Sequence, residues 1–449
     1  MTARVQSPNT SIQPTSAQIN AQNHLVIGGC DTVDLAEKFG TPLYVLDRRT
    51  IEEAVAAYRR GLAGYGDAQI LYAGKAFLCL AMCHLLKKLG TGLDVVSLGE
   101  LLTARQAEFP AQLIYMHGNN KSEKEIREGL SYGDVRIVVD SLPEVGLVAS
   151  VAAGLGKTAN IVLRLTPDVE PDTHKHIKTG HAGSKFGLAP EQLDAVAQRI
   201  KEAGGSLNLI GLHAHIGSQS HEMGPFLESL RVVAECFHRL QDKWGFQLSV
   251  FDVGGGLGIA YVDSDRPTDL EEWTRAVATK VKDAFQQSGK PLPQLLVEPG
   301  RTIVGTAGVT LYRAGFKKHL PNGTVHLAVD GGMADNPRPI TYQAQYTAAV
   351  ANRMNGASSH PGAVPALTLA GKYCESGDII IEETYIEAET GDLIAVFGTG
   401  AYNYSMASNY NRTGRPACVL VADGKAEIII DRETDEDLLR FDRVPESLL

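Results

Sequence analysis

The chain has 449 residues, 44% of them apolar and 21% charged, and a formal net charge of −10. This length accommodates two or three domains, and the composition is that of an ordinary soluble globular protein. The acidic balance argues against nucleic acid or an anionic membrane surface as the main partner, and no apolar run approaches the length of a membrane span.

Residues 1–23 are rich in Ser, Thr, Gln and Asn, with one arginine and no acid. They lack the apolar centre of a secretory signal and read as a disordered tail; a short, arginine-poor remnant of an organelle-targeting peptide is the alternative. Residues 24–48 hold one strand, Pro42 to Asp47, and a helix follows with Ile51, Ala54, Val55 and Tyr58 at helical spacing. Then eight apolar runs alternate with helical patterns, at 69–75, 92–97, 113–118, 136–141, 160–165, 209–217, 249–254 and 294–300. Near-continuous apolar strands between helices indicate a parallel sheet. Eight such units predict a closed (β/α)8, TIM-like barrel over 49–304, with its site at the C-terminal ends of the strands; an open doubly wound sheet is the rival. From 305 to 449 strand-like runs recur at 308–313, 325–330, 365–370, 392–397 and 417–421 without long helices. This predicts a mainly antiparallel β domain, a β-barrel or sandwich, which the strand at 42–47 joins.

The six cysteines, Cys30, Cys79, Cys83, Cys236, Cys374 and Cys418, are scattered. Neither a disulfide framework nor a zinc ribbon is indicated, and a reducing, cytoplasmic setting fits.

Polar residues gather at the predicted strand ends. Lys75, in Tyr72-Ala-Gly-Lys-Ala-Phe77, sits where a strand gives way to a helix. Little else nearby is polar, so partial desolvation would favour the neutral amine that a Schiff-base lysine needs; a snorkelling surface lysine is the plain alternative. Asp94, Glu100 and Arg164 lie at or just beyond other strands. Gly254, Gly255 and Gly256 offer consecutive backbone N–H groups that suit an anion, and Ser218 could add a hydroxyl; most such triplets are only turns. His213 and His215, two apart on a strand, point to one side. They read as a flat ring against a flat cofactor, as hydrogen-bonded core histidines, or as a metal pair for which no third ligand stands out. Glu298 could keep a pyridine nitrogen protonated, making the ring of pyridoxal phosphate a strong electron sink, or it pairs structurally with Arg301 or Arg164.

Together, Lys75 in its Tyr-Ala-Gly-Lys-Ala setting, His213-Ala-His215-Ile-Gly-Ser218-Gln219, Asp252-Val-Gly-Gly-Gly256 and Glu298-Pro-Gly300-Arg301 resemble the motifs of the pyridoxal-phosphate-dependent decarboxylases with an alanine-racemase-like barrel. Asp335-Asn-Pro-Arg338-Pro-Ile-Thr-Tyr342, Gly371-Lys-Tyr-Cys374-Glu375-Ser-Gly-Asp378 and the run from Gly400 through Tyr402 to Asn411 are similar to those of the diaminopimelate decarboxylase branch. The resemblance spans about residues 24–435.

It implies pyridoxal 5'-phosphate held covalently by Lys75, with Asp94, His215, Ser218, Gly255, Gly256, Glu298, Gly300, Arg301 and Tyr402 binding the cofactor. His215 would stack on the ring, Glu298 would meet its nitrogen, and Ser218, Gly256 and the 298–301 turn would hold the phosphate. Arg301, Arg338 and Tyr342 would grip the substrate's distal carboxylate, Glu375 its distal ammonium, and Tyr402 would touch both cofactor and substrate. Cys374 would return a proton after CO2 leaves. The resemblance also implies a homodimer in which Cys374 and Glu375 reach the neighbouring site, and a loop at His174–Gly180 that closes over it. The expected reaction takes meso-2,6-diaminopimelate to L-lysine. A decarboxylase of another basic amino acid or a carboxylated polyamine, a racemase, and a regulatory barrel without turnover are the alternatives. Two arginines with an acid suit a zwitterionic end, which ornithine and lysine do not offer when they bind as substrates.

Overall fold

The computed structural model describes residues 7–167, 184–215, 217–221, 223–354 and 364–449. The chain divides into two compact units. The first comprises the described residues of Met1–Thr10, Glu52–Ile259 and Arg266–Ile303. Its eight strands are β1 (Ala68–Ala73), β2 (Gly92–Val95), β3 (Ile114–Met116), β4 (Arg136–Val139), β5 (Ala159–Leu165), β6 (Leu207–Ala214), β7 (Val250–Asp252) and β8 (Gln294–Val297). They pair in parallel in sequence order, and β8 closes on β1 through Leu296 opposite Gln69 and Val297 opposite Ile70. That closure excludes the open sheet. It also explains the apolar runs, because strands covered on both faces have no polar side to display. Leu71, Tyr115, Val138, Val162, Val250 and Leu296 pack in one buried cluster drawn from six of the strands.

Some of the intervening helices begin where short polar side chains cap them. Ser122 and Glu125 form a reciprocal capping box before Glu123–Tyr132, and Asp269 accepts from Glu271 N and Glu272 N ahead of Leu270–Gln287. Each cap satisfies backbone N–H groups that the first helical turn leaves open.

The second unit comprises Ser11–Ile51, Ala260–Asp265 and Val304–Leu449. Its main sheet runs Ile379–Thr384, Leu367–Ala370, Val325–Val329, Gly308–His319, Leu43–Asp47, Ala417–Ala422, Lys425–Ile430, with Leu393–Phe397 also on Gly308–His319 and Ala348–Val350 beyond it. Pairing is mostly antiparallel; Leu43–Asp47 lies antiparallel to Gly308–His319 and parallel to Ala417–Ala422. The early strand is thus central in the sheet, and Val45, Val309, Leu311, Phe397 and Val419 pack around it.

Three features differ from the sequence reading. Residues 7–23 are not a disordered tail: Asn9 is fully buried and its Nδ2 donates to Gly258 O at 3.2 Å and Thr268 O at 2.8 Å, while Gln18–Ile19 pairs with Leu25–Ile27. A polar composition hid this, because the segment is held by hydrogen bonds rather than an apolar stripe. Ala260–Asp265 belongs to the second unit although it interrupts the barrel sequence. The strands at 348–350, 379–384 and 425–430 went unpredicted; the first has three residues, and the other two expose several positions.

A buried ion pair ties the β3 and β4 ends. Lys121 Nζ donates to Gly118 O at 2.5 Å, Val138 O at 2.6 Å and Glu144 Oε1 at 2.9 Å, while Glu144 Oε2 accepts from Asp140 N at 2.6 Å. Lys121→Ala leaves Glu144 buried and uncompensated, so equilibrium denaturation should register a loss of about 3–5 kcal/mol. A loss under about 1 kcal/mol would be the behaviour of a solvated surface pair.

Candidate active site

Lys75 stands in the 3-10 turn Gly74–Ala76 that ends β1. The turn after β8 packs against it: Ala73 N donates to Pro299 O at 3.0 Å, and a Cβ on Gly300 would lie 3.0 Å from Ala73 Cβ and 3.1 Å from Ala76 Cβ. The surroundings of the amine differ from the apolar setting expected. Lys75 Nζ lies 3.9 Å from Asp94 Oδ2, and its side chain is 41% exposed whereas that of Asp94 is 1% exposed. The amine thus has a buried acid near it and not only small apolar neighbours.

From Asp94 a set of buried groups continues across the strand ends. His117 Nε2 is 3.8 Å from Asp94 Oδ1 and 2.7 Å from Glu298 Oε1. On the other side of Glu298, His213 Nε2 lies 3.0 Å from Oε2. The two imidazoles meet edge to face with centroids 4.9 Å apart. Glu298 therefore takes histidine partners, not the Arg301 or Arg164 ion pair. Burial raises its pKa, yet His117 and His213 overcome that and hold it well below the usual carboxylate range. Asp252 behaves oppositely: burial, reinforced by Glu298, pushes it well above that range. Burial draws His213 down to about 4 against the pull of Glu298, so its neutral ring presents Nε2–H to the carboxylate. His117 was not singled out in the sequence; its position at the end of a predicted strand was the only signal.

His213 and His215 have separate tasks. Gly255 N donates to His215 Nδ1 at 3.2 Å, which places the ring proton on Nε2. Gly254 N donates to Asp252 Oδ1 at 2.9 Å and Gly254 O accepts from Glu298 N at 2.7 Å. The glycine triplet is thus not three open donors: Gly254 and Gly255 serve their neighbours, and only Gly256 N–H lacks a protein acceptor among the described residues. The glycines are required all the same. Gly254 has φ +67°, Gly256 has φ +125°, and a Cβ on Gly255 would collide with the Glu298 carbonyl oxygen. Beside Gly256, Arg301 Nη2 donates to Ser218 Oγ at 2.9 Å, and Ser220 N donates to Gly256 O at 2.9 Å. A hydroxyl, a guanidinium and a backbone N–H stand together there.

The other expected residues lie in the second unit. Arg338 begins the short helix Arg338–Tyr342 and is buried; its Nη1 donates to Tyr261 Oη at 2.9 Å and Tyr346 Oη at 2.7 Å. Tyr342, at the other end of that helix, is half-buried. Cys374 and Glu375 are exposed on the loop before Asp378, so the thiol is not an apolar core filler. Asp378 accepts from Met333 N at 2.6 Å and Tyr373 N at 2.8 Å, tying that loop to the one before Arg338. Tyr402 is half-buried and has φ +65°, a left-handed conformation that a bulky residue rarely adopts. The expected loop at 174–180 lies outside the described residues.

Residues 48–305 match the family described as pyridoxal-dependent decarboxylase, pyridoxal binding domain. The chain is 46% identical to the diaminopimelate decarboxylase of Synechocystis sp., covering 99% of this chain and 95% of that protein. It is 42% identical to the Bacillus subtilis diaminopimelate decarboxylase, covering 95% and 97%. The chain belongs to the diaminopimelate decarboxylase family. Among solved structures, a diaminopimelate decarboxylase from M. jannaschii in complex with L-lysine superposes with TM-score 0.89 at 34% identity, covering 99% of this chain and all of that one. A lysine/ornithine decarboxylase from Vibrio vulnificus, 22% identical with TM-score 0.72, shares the fold.

The cofactor of diaminopimelate decarboxylases is pyridoxal phosphate, and the barrel residues fit it. Lys75 offers an amine, the Gly256–Ser218–Arg301 corner suits a phosphate, and Glu298 offers a carboxyl held well below the usual carboxylate range that suits a ring nitrogen. His213 Nδ1 and Asp94 Oδ1 are buried without a hydrogen-bond partner among the described residues, as polar groups facing a ligand are.

Glu100 gives this site a pH signature. Its Oε2 accepts from Val96 N at 2.6 Å, and burial, then Asp94, pushes its pKa from 4.5 to about 7. In that window the unfolded chain has released a proton that the folded chain keeps, so Glu100 makes stability fall as pH rises from 4.5 to about 7. Glu100→Gln should flatten that slope in urea unfolding of the apoprotein; an unchanged slope would assign it to other groups.

Proposed function

We propose that this chain decarboxylates meso-2,6-diaminopimelate to L-lysine, the last step of lysine synthesis, with Lys75, Glu298, Arg338 and Cys374 in the central roles. The observation that carries this assignment is Glu298, a buried carboxylate kept ionised by His117 and His213 on the same ring of strand ends as Lys75. Bound pyridoxal phosphate supplies an electron sink for the pair released when CO2 departs. Lys75 anchors the cofactor through its amine, and Asp94 orients that amine. His215 offers its ring as a face for the cofactor, with Nδ1 committed to Gly255. Glu298 would meet the ring nitrogen and, held well below the usual carboxylate range by His117 and His213, would favour a proton on that nitrogen. Ser218, Gly256, Gly300 and Arg301 hold the phosphate, while Gly255 fixes the His215 ring.

Substrate is read at its far end. Arg338, with Arg301 and Tyr342, takes the distal carboxylate, Glu375 takes the distal ammonium, and Tyr402 touches both substrate and cofactor. A guanidinium is suited to a carboxylate by its paired donors; a diamine product lacking that carboxylate would leave it unmatched. Cys374 holds a proton at Sγ and delivers it to the carbon that lost CO2, a task for which a thiol has a suitable range. We further propose a homodimer in a cytoplasmic setting, with Cys374 and Glu375 completing the neighbour's site; their exposure on the single chain supports this.

Lys75→Ala should abolish the visible absorbance of bound cofactor in the purified protein; a retained band would identify another lysine as the anchor. Cys374→Ala should keep the cofactor and lose most turnover, about a hundredfold or more as for loss of a general acid, and unchanged turnover would remove the thiol from the reaction. Product analysis decides the substrate: lysine and CO2 from diaminopimelate, with no diamine from lysine or ornithine, is the expected result, and diamine formation would point to the basic amino acid decarboxylases instead.

A further inference from the structure

Arg338 has only 6% of its surface exposed, yet among the described residues no carboxylate lies within ion-pair reach of it. Buried guanidinium groups ordinarily take an acid as partner, since an uncompensated charge in a low dielectric is unfavourable. Here two phenols take that place. Nη1 has two hydrogens, one for Tyr261 Oη at 2.9 Å and one for Tyr346 Oη at 2.7 Å. No acceptor among the described residues meets Nε or Nη2. These two form the edge of the guanidinium that binds a carboxylate with parallel hydrogen bonds.

We infer that Tyr261 and Tyr346 are positioning residues for substrate selection: they aim the Arg338 guanidinium while leaving its charge for the second carboxylate of the substrate. The inference rests on the reading of Arg338 as the distal-carboxylate site. An acid in either place would fix the guanidinium equally well, but it would cancel the charge and compete with the substrate. A neutral phenol gives direction without cancellation.

The cradle is itself fixed. Tyr346 Oη donates its hydrogen to Asn403 Oδ1 at 3.3 Å, so its lone pairs face Arg338; Asn403 Nδ2 donates to Asn336 Oδ1 at 2.7 Å, and both amides are buried. The two rings pack edge to face, centroids 5.4 Å apart, and the guanidinium carbon lies 4.9 Å from the Tyr261 centroid, where the ring quadrupole also favours a cation. Thr347 Oγ1 donates to Tyr261 O at 2.8 Å. Burial, opposed by Arg338, pushes the Tyr346 phenol up, which keeps it neutral.

The test is steady-state kinetics of the cofactor-loaded, full-length enzyme with meso-diaminopimelate. Tyr346→Phe and Tyr261→Phe should each raise KM about tenfold, the effect of one misaligned charge-assisted bond, with kcat within about twofold of the parent because the reacting carbon is untouched. Competitive inhibition supplies a second measure. The inhibition constant of L-lysine, which carries the distal carboxylate, should rise in parallel, whereas that of 1,5-diaminopentane, which lacks it, should not. Arg338→Lys separates the two claims. If it leaves KM and lysine inhibition unchanged, the reading of Arg338 as the carboxylate site falls. If it raises both while the phenylalanine variants match the parent, the positioning role alone is overturned, as it is if the rise in KM in those variants comes with a matching loss of kcat and weaker diamine inhibition. Should Tyr346→Phe fail to fold, Asn403→Ser, which releases the phenol hydrogen but keeps the phenol, must raise KM for the inference to stand.

Discussion

A single carboxylate in a dry place organises the strand ends of the barrel. Left to burial alone, Glu298 would take up a proton, and a neutral acid cannot keep a pyridine ring protonated. Two imidazole groups, His117 after β3 and His213 on β6, meet its two oxygens at 2.7 and 3.0 Å and reverse that preference. Asp252 is pushed the other way, well above the usual carboxylate range. The groups come from four strand ends, so the charge on Glu298 is a property of the closed barrel and of no local segment.

The second unit solves the opposite problem. Arg338 is a cation kept from neutralisation, surrounded by phenols where an acid would be the ordinary partner. The loops around it are tied together by one buried acid: Asp378 binds Met333 N and Tyr373 N, and its carboxylate fills the space that a Cβ on Gly332 or Gly371 would need. Around Arg338 the fold withholds the usual counter-charge and supplies phenols in its place, which direct a charged group without extinguishing it.

Much of the chemistry was legible before the fold was known. Lys75, Asp94, His215, Ser218, Glu298 and Arg301 were marked by position at the ends of apolar runs, and a closed parallel barrel brings such ends together by construction. His117 escaped because a histidine at the end of a short strand has no local signature; only its distance to Glu298 gives it meaning. Tyr261 and Tyr346 escaped for the same reason, as they are 85 positions apart and meet each other and Arg338 only in the folded chain. The glycine triplet was half understood: its glycines are needed, but two of its N–H groups stabilise Asp252 and His215 and do not await an anion. The polar N-terminus was misread because composition reports apolar burial and is blind to Asn9, whose amide is buried through hydrogen bonds to distant carbonyls.

The order of residues along the chain therefore determined the alternation of strands and helices, the division near residue 304 and the identity of the groups available for catalysis, since those follow from periodicity and side-chain chemistry that act over a few residues. Tertiary structure alone decided which of those groups are charged. Ionisation in a buried site depends on the summed field of neighbours from many strands, and that field exists only once the barrel has closed and water has been excluded.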